Sequence, residues 1–144
     1  MALIRPIAQT DFKSWNEMYS EYMEGIDQET LKRLWSWLMD SSHDVKGLIA
    51  ENNLGETIGF IHYRPIYVPF IADIGGYIDD IFVRPAFRRS GIAKQLVEAI
   101  VKLGKEKNWQ GIRWITDESN VAAKCFYDKI ATRTSWITYD IAPL

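Results

Sequence analysis

With 144 residues, 47% of them hydrophobic and 25% charged, the chain has the size and make-up of one globular domain with its own core. A net charge of −2 gives no broad basic surface for nucleic acid, and no run approaches the roughly 18 apolar residues that span a bilayer. The start, MALIRPIAQTDF, lacks the apolar region of a signal peptide. The single cysteine, Cys125, excludes an internal disulfide and fits a reducing cytoplasm.

Residues 2–7 alternate as a first strand, and Thr10 or Asp11 offers a cap to a helix in which Phe12, Trp15, Tyr19, Tyr22 and Met23 recur at helical spacing. Gly25 separates a second helix, opened by Asp27, with Leu31, Leu34, Trp35 and Leu38 on one face. Residues 45–51 and 57–63 read as strands joined at the turn Asn52, Asn53, Leu54, Gly55. Residues 65–76 carry two prolines, end in Gly75 and Gly76, and read as a loop. Residues 77–83 form an apolar strand that Pro85 ends. A helix to about Lys107 follows, with Ala93, Leu96, Val97, Ile100 and Leu103 as its buried stripe and Glu98 and Lys102 paired on the wet face. Residues 111–116 make a fifth strand, Ser119 or Asn120 caps a short helix, and residues 136–141 alternate as a closing strand. The order β-α-α-β-β-β-α-β-α-β fits an α/β (α+β) sheet domain.

The strand 77–83 runs through a short basic loop into a helix that opens on glycine. Arg88, Arg89, Ser90 and Gly91 precede Ile92, where helical N–H groups have no intrahelical partner. Those amides, the positive end of the helix dipole and two guanidinium groups make a cradle for an anion such as a pyrophosphate. A Cβ at position 91 would hold a bulky ligand away from the backbone, and Ala93 keeps the next turn slim. The sequence has no G-x-x-x-x-G-K-[ST] run and no G-x-G-x-x-G after a strand. The bland alternative is a solvated basic loop. Against it, two arginines at a helix N-terminus oppose the dipole unless an anion lies between them.

Arg88, Gly91 and Ala93 fit R-x-x-G-x-A, and Asn120, Ala123, Phe126 and Tyr127 fit N-x-x-A-x-x-F-Y. Seven residues are about two helical turns, so Asn120 and Tyr127 share a face. The two tracts resemble motifs A and B of the GNAT N-acetyltransferase superfamily. The segments DDIFV, WITDESN and FYDKIA are most similar to the branch containing the small fungal histone and polyamine acetyltransferases and their bacterial relatives. The likeness covers residues 77–141 well and the N-terminal half loosely. Where many relatives place Gly-Phe after the tyrosine, this chain reads DKIATRTSW, with Trp136 near the phenylalanine's place.

The resemblance implies one domain over residues 1–144, with a mixed, mostly antiparallel sheet and helices on both faces. It implies acetyl-CoA as cosubstrate, no metal, a homodimer, and an acceptor that is a small amine, polyamine, amino acid, protein lysine or N-terminus. Residues around the cosubstrate would be Ile81, Phe82 and Val83 at the acetyl carbonyl, Arg88, Arg89, Ser90, Gly91, Ile92 and Ala93 at the pyrophosphate, and Asn120 and Phe126 along the pantetheine arm. Tyr127 would be the general acid, its alternative being a half-buried packing tyrosine.

An aliphatic ammonium, with a pKa of about 10.4, needs a base or water relay, and Asp79 and Asp80 are the candidates. Alternation sends them to opposite faces. Asp79 shares a face with Ile81 and Val83 and matches the acidic residue of many relatives, so it is the first choice; Asp80 stands open between a site role and a structural one. Cys125 has no histidine within local reach and is expected to be buried. His43 and His62 form no metal set with carboxylates at ligand spacing. The aromatic residues Tyr19, Tyr22, Trp35, Trp37, His62 and Tyr63 could line an acceptor pocket, although stripes at helical spacing are more often core; of them Tyr22, Trp37 and Tyr63 are kept as candidates. Two rival functions are a non-catalytic acyl-CoA-binding module, which needs the phosphate loop but neither Tyr127 nor the carboxylate, and an RNA-modifying acetyltransferase, which the acidic balance opposes.

Overall fold

The computed structural model describes residues 1–144. The chain divides into two units, Met1–Trp114 and Ile115–Leu144. The first unit holds a five-stranded sheet in the order β1-β2-β3-β4-β5, where β1 is Leu3–Pro6, β2 Lys46–Glu51, β3 Thr57–Val68, β4 Asp73–Val83 and β5 Ile112–Arg113. Every neighbouring pair is antiparallel except β4 with β5. Helices α1 (Phe12–Tyr22) and α2 (Gln28–Met39) lie between β1 and β2 in sequence, and α3 (Ile92–Glu106) makes the crossover from β4 to β5. The mixed, mostly antiparallel sheet that the resemblance implies is present. No helix is long and apolar enough to cross a membrane.

The helical spacing of Trp15, Met18 and Tyr19 on α1 and of Leu31 and Leu38 on α2 packs these side chains on Ile49, Phe60 and Phe82, which share one face of the sheet. Helix α3 buries Ile92, Leu96, Val97 and Ile100 outside that cluster, on the other face. Its exposed i,i+4 pair is Lys94 with Glu98, at 3.8 Å, rather than the expected Glu98 with Lys102. Asp27 caps α2, its Oδ1 accepting the Thr30 N–H at 2.7 Å. Asp11 does not cap α1 through its side chain. Its carboxylate accepts the Ala8 N–H at 2.8 Å and two Arg5 N–H groups at 2.7 and 2.8 Å, tying β1 to the start of α1. The Arg5 bonds hold the Asp11 carboxyl below its ordinary value.

Residues 65–76 are not a loop. β3 continues to Val68, a 3-10 turn occupies Pro69–Ile71, and β4 begins at Asp73, with Pro65 opposite Gly76 in register. The glycines serve close approach: a Cβ on Gly76 would lie 2.3 Å from the Trp109 ring, and one on Gly75 would lie 3.0 Å from the Gly111 carbonyl oxygen. Gly76→Ala is therefore expected to destabilise the fold by about 1–3 kcal/mol through overpacking, read as a lower midpoint in urea unfolding. A wild-type midpoint would mean that Trp109 moves aside freely.

The second unit holds α4 (Val121–Ile130). Residues 136–141 form no strand, and Trp136, Ile137, Tyr139 and Ile141 are between 72% and 85% exposed. Alternation makes a segment able to pair, but a strand exists only where a neighbour completes its hydrogen bonds. The fifth strand is likewise shorter than expected, two residues instead of six.

Candidate active site

Between β4 and α3 the chain makes a 3-10 turn at Pro85–Phe87 and then a loop through Arg88, Arg89 and Ser90 to Gly91. Gly91 has φ 82°, in the left-handed region that favours glycine, and a Cβ there would meet nothing within 4 Å. Arg89 is also left-handed, at φ 60°. The backbone N–H groups from Arg89 to Lys94 make no hydrogen bond, and the helix ladder begins with Gln95 N–H donating to Gly91 O at 3.0 Å. A run of unpaired donors at the positive end of a 15-residue helix, with open space over a glycine, suits a diphosphate.

The two arginines have different occupations. Arg88 Nε donates to Val83 O at 2.8 Å and its guanidinium lies 5.4 Å over the Phe82 ring, bracing the loop on β4. The Arg89 side chain makes no ion pair. Ser90 Oγ donates to Phe87 O.

β5 pairs with β4 only at Gly76 and Tyr77, so beyond Tyr77 the outer edge of β4 has no strand partner. Arg84 N–H donates to Ile58 O at 2.8 Å. In an antiparallel ladder this turns the polar groups of Val83, and of Ile81 two residues earlier, away from β3, and those of Phe82 toward it. Of the three residues expected at an acyl carbonyl, Ile81 and Val83 thus present their amides at the open edge, whereas the amide of Phe82 belongs to the ladder.

On the α1 and α2 side of β4 lies a cavity of about 410 Å³ whose walls include Tyr19, Arg33, Trp37, Arg64, Asp79 and Asp80. Both aspartates line it, contrary to strict alternation. The register shifts between His62 and Tyr63, which pair with Asp80 and Ile78, leaving Asp79 as the extra residue of a bulge. Asp79 is held by Arg64, whose Nε donates at 3.1 and 3.0 Å to its two oxygens. Withdrawal from water at the cavity wall raises the Asp79 carboxyl above its ordinary value, with Arg64 opposing. Asp80 accepts from Tyr19 OH at 3.3 Å and lies 2.9 Å from His62 Nδ1, both contacts falling on Oδ2; its Oδ1 accepts no hydrogen bond. Arg33 makes no ion pair, and its guanidinium is exposed on the cavity wall. Trp37 lines the cavity; Tyr22 packs on Phe60 and Phe82, and Tyr63 is buried against Trp109.

In the second unit, Asn120 caps α4, its Oδ1 accepting the Ala123 N–H at 3.1 Å. The Phe126 and Tyr127 rings lie 5.3 Å apart. Tyr127 is half-buried, and loss of water raises its phenol above the ordinary value of 10.0. Cys125 is exposed, which corrects the expectation of burial: α4 turns that position outward.

Trp15, Arg33 and Arg64 carry no site signal in the sequence; Tyr19 and His62 stand among the aromatic residues that could line an acceptor pocket, but they read there as core.

A model described as the acetyltransferase (GNAT) family matches residues 12–131. The D-amino-acid N-acetyltransferase of Saccharomyces cerevisiae is 24% identical over 143 residues, spanning 95% of this chain and 88% of that protein. The L-ornithine N5-acetyltransferase of Arabidopsis thaliana is 36% identical over 75 residues, 52% of this chain and 33% of that protein. The structure of AAC(6')-Iy in complex with a bisubstrate analog superposes with a TM-score of 0.88 over 100% of this chain and 99% of that one, at 20% identity, a likeness of fold.

Proposed function

Because the chain belongs to the acetyltransferase (GNAT) family, we propose that it transfers the acetyl group of acetyl-CoA directly to a primary amine seated against Asp80, and that free amino acids are the acceptors its cavity suits. The observation that carries the reading is the bipolar cavity beside the open edge of β4. At one wall Asp80 offers an oxygen with no partner; at another Arg33 offers a guanidinium with no partner. An ammonium and a carboxylate on one small molecule complement the two. The yeast and Arabidopsis relatives are named for amino-acid acceptors, which supports the same class.

Bound acetyl-CoA supplies an acetyl group activated as a thioester. The unpaired amides from Arg89 to Lys94, with the Arg89 guanidinium, hold the diphosphate. The Ile81 and Val83 amides orient the acyl end along β4. Asp80 attracts the ammonium and accepts its proton at Oδ1, and Tyr127 Oη is assigned the proton for the leaving group on the strength of the motif spacing.

Release of the CoA thiol should be followed with matched acceptors: ornithine and putrescine, both enantiomers of phenylalanine and phenethylamine, an aminoglycoside and a histone-tail peptide. The amino acids are expected to exceed their decarboxylated partners at least about tenfold in kcat/KM, and Arg33→Gln is expected to close most of that gap, since one charge-assisted contact is lost. Equal rates within each pair would remove Arg33 and the amino-acid class. CoA binding with no turnover of any amine would leave the non-catalytic acyl-CoA module instead.

A further inference from the structure

His62 stands on β3 directly opposite Asp80 and is fully buried. Trp15 Nε1–H donates to His62 Nε2 at 3.0 Å. An indole nitrogen only donates, so Nε2 is an unprotonated acceptor and the ring proton of a neutral imidazole sits on Nδ1, 2.9 Å from Asp80 Oδ2. An imidazolium would aim an N–H at the indole N–H inside the core. The ring plane is held by Phe60 at 4.8 Å and by stacking on Tyr19 at 5.6 Å and 22°. Tyr19 also donates to Oδ2 at 3.3 Å. Burial, then the negative charge of Asp80, pushes the Tyr19 phenol well above its ordinary value, so it stays a donor.

We infer that His62 is a positioning residue, locked by Trp15 as the neutral Nδ1–H tautomer, which holds Asp80 as a carboxylate and leaves its Oδ1 for the acceptor amine. The inference rests on the role given to Asp80 above. It excludes His62 as the base, because taking a proton at Nε2 would break the Trp15 bond. The other charged or titratable groups around the pair are Tyr19 from α1, Arg33 from α2, Arg64 from β3 and Asp79 from β4, of which Arg64 is engaged by Asp79.

Imidazole nitrogen NMR tests the lock directly. The chain has two histidines, so a His43→Gln background leaves one ring to observe. At neutral pH Nδ1 is expected to carry the proton and Nε2 to be bare; Trp15→Phe should remove the bond that holds the ring in that tautomer. An Nε2–H tautomer, or an imidazolium at neutral pH, would overturn the inference, and this readout needs no change at position 62. In kinetics, His62→Leu is expected to lower kcat/KM for the amine about 10- to 100-fold, the worth of a hydrogen bond to a charged group, with the KM for acetyl-CoA unchanged. His62→Asn, which returns an N–H near the Nδ1 position, should recover most of the loss. A folded His62→Leu protein with a wild-type kcat/KM for the amine would also overturn the positioning role. Absence of amine turnover in the wild-type protein strikes at the proposed function, and the NMR spectrum still decides whether His62 holds Asp80.

Discussion

Asp80→Asn is expected to lower kcat/KM for the acceptor by roughly 10²–10⁴-fold at neutral pH, the range for a positioned acid–base group, while Asp79→Asn costs less than about tenfold by the same measure. The difference follows from their partners. Asp79 has both oxygens engaged by Arg64 Nε, and its bulged position leaves it a wall of the cavity with its charge already answered. Asp80 has both donors on one oxygen and nothing on the other. Below a pKa of about 10.4 the side-chain amine of an acceptor such as ornithine arrives as an ammonium. The wild-type protein meets it with a carboxylate, whereas the Asn variant must wait for free amine. Its rate should therefore climb about tenfold per pH unit toward that pKa, faster than the wild-type rate. The measurement is kcat/KM against pH for both variants with one amino acid. A larger loss in Asp79→Asn would return the base to Asp79, and two wild-type profiles would remove both carboxylates from the chemistry.

What could be read from the sequence was local. The apolar strand before Pro85, the free amides after Gly91, the stripe of α3 and the Asn120 cap each depend on residues within a few positions of one another, and each is present. What could not be read depends on a distant partner. Alternation placed Asp79 and Asp80 on opposite faces, but the bulge that brings both to the cavity is a property of how β4 registers on β3. Gly75 and Gly76 read as loop residues because the reason for them, Trp109 and the Gly111 carbonyl, arrives only after the α3 crossover. His62 sits 18 residues from Asp80 and 47 from Trp15, so neither of its hydrogen bonds leaves a short motif. The alternation of residues 136–141 was real, but alternation cannot say whether a neighbouring strand is there to pair with.

Tyr127→Phe is expected to lower kcat by roughly 10²–10⁴-fold with the KM for acetyl-CoA close to wild type. The substitution removes one oxygen and keeps the ring that lies 5.3 Å from Phe126, so thermal unfolding should move little. The phenol is raised above its ordinary value of 10.0 by loss of water, and it therefore keeps its proton at neutral pH and has one to give. The departing thiolate leaves as a thiol at neutral pH, and the phenol is the donor assigned to it. The wild-type profile should fall on the alkaline side, above the ordinary tyrosine range, as the phenol ionises, and the Phe variant should lack that limb. Steady-state rates with saturating amine over the alkaline range, beside a melting curve for each protein, separate the two roles of the residue. A drop in kcat with an unchanged melting temperature assigns the loss to the hydroxyl. A fully active Phe variant would leave Tyr127 as packing for α4 and pass the proton to water.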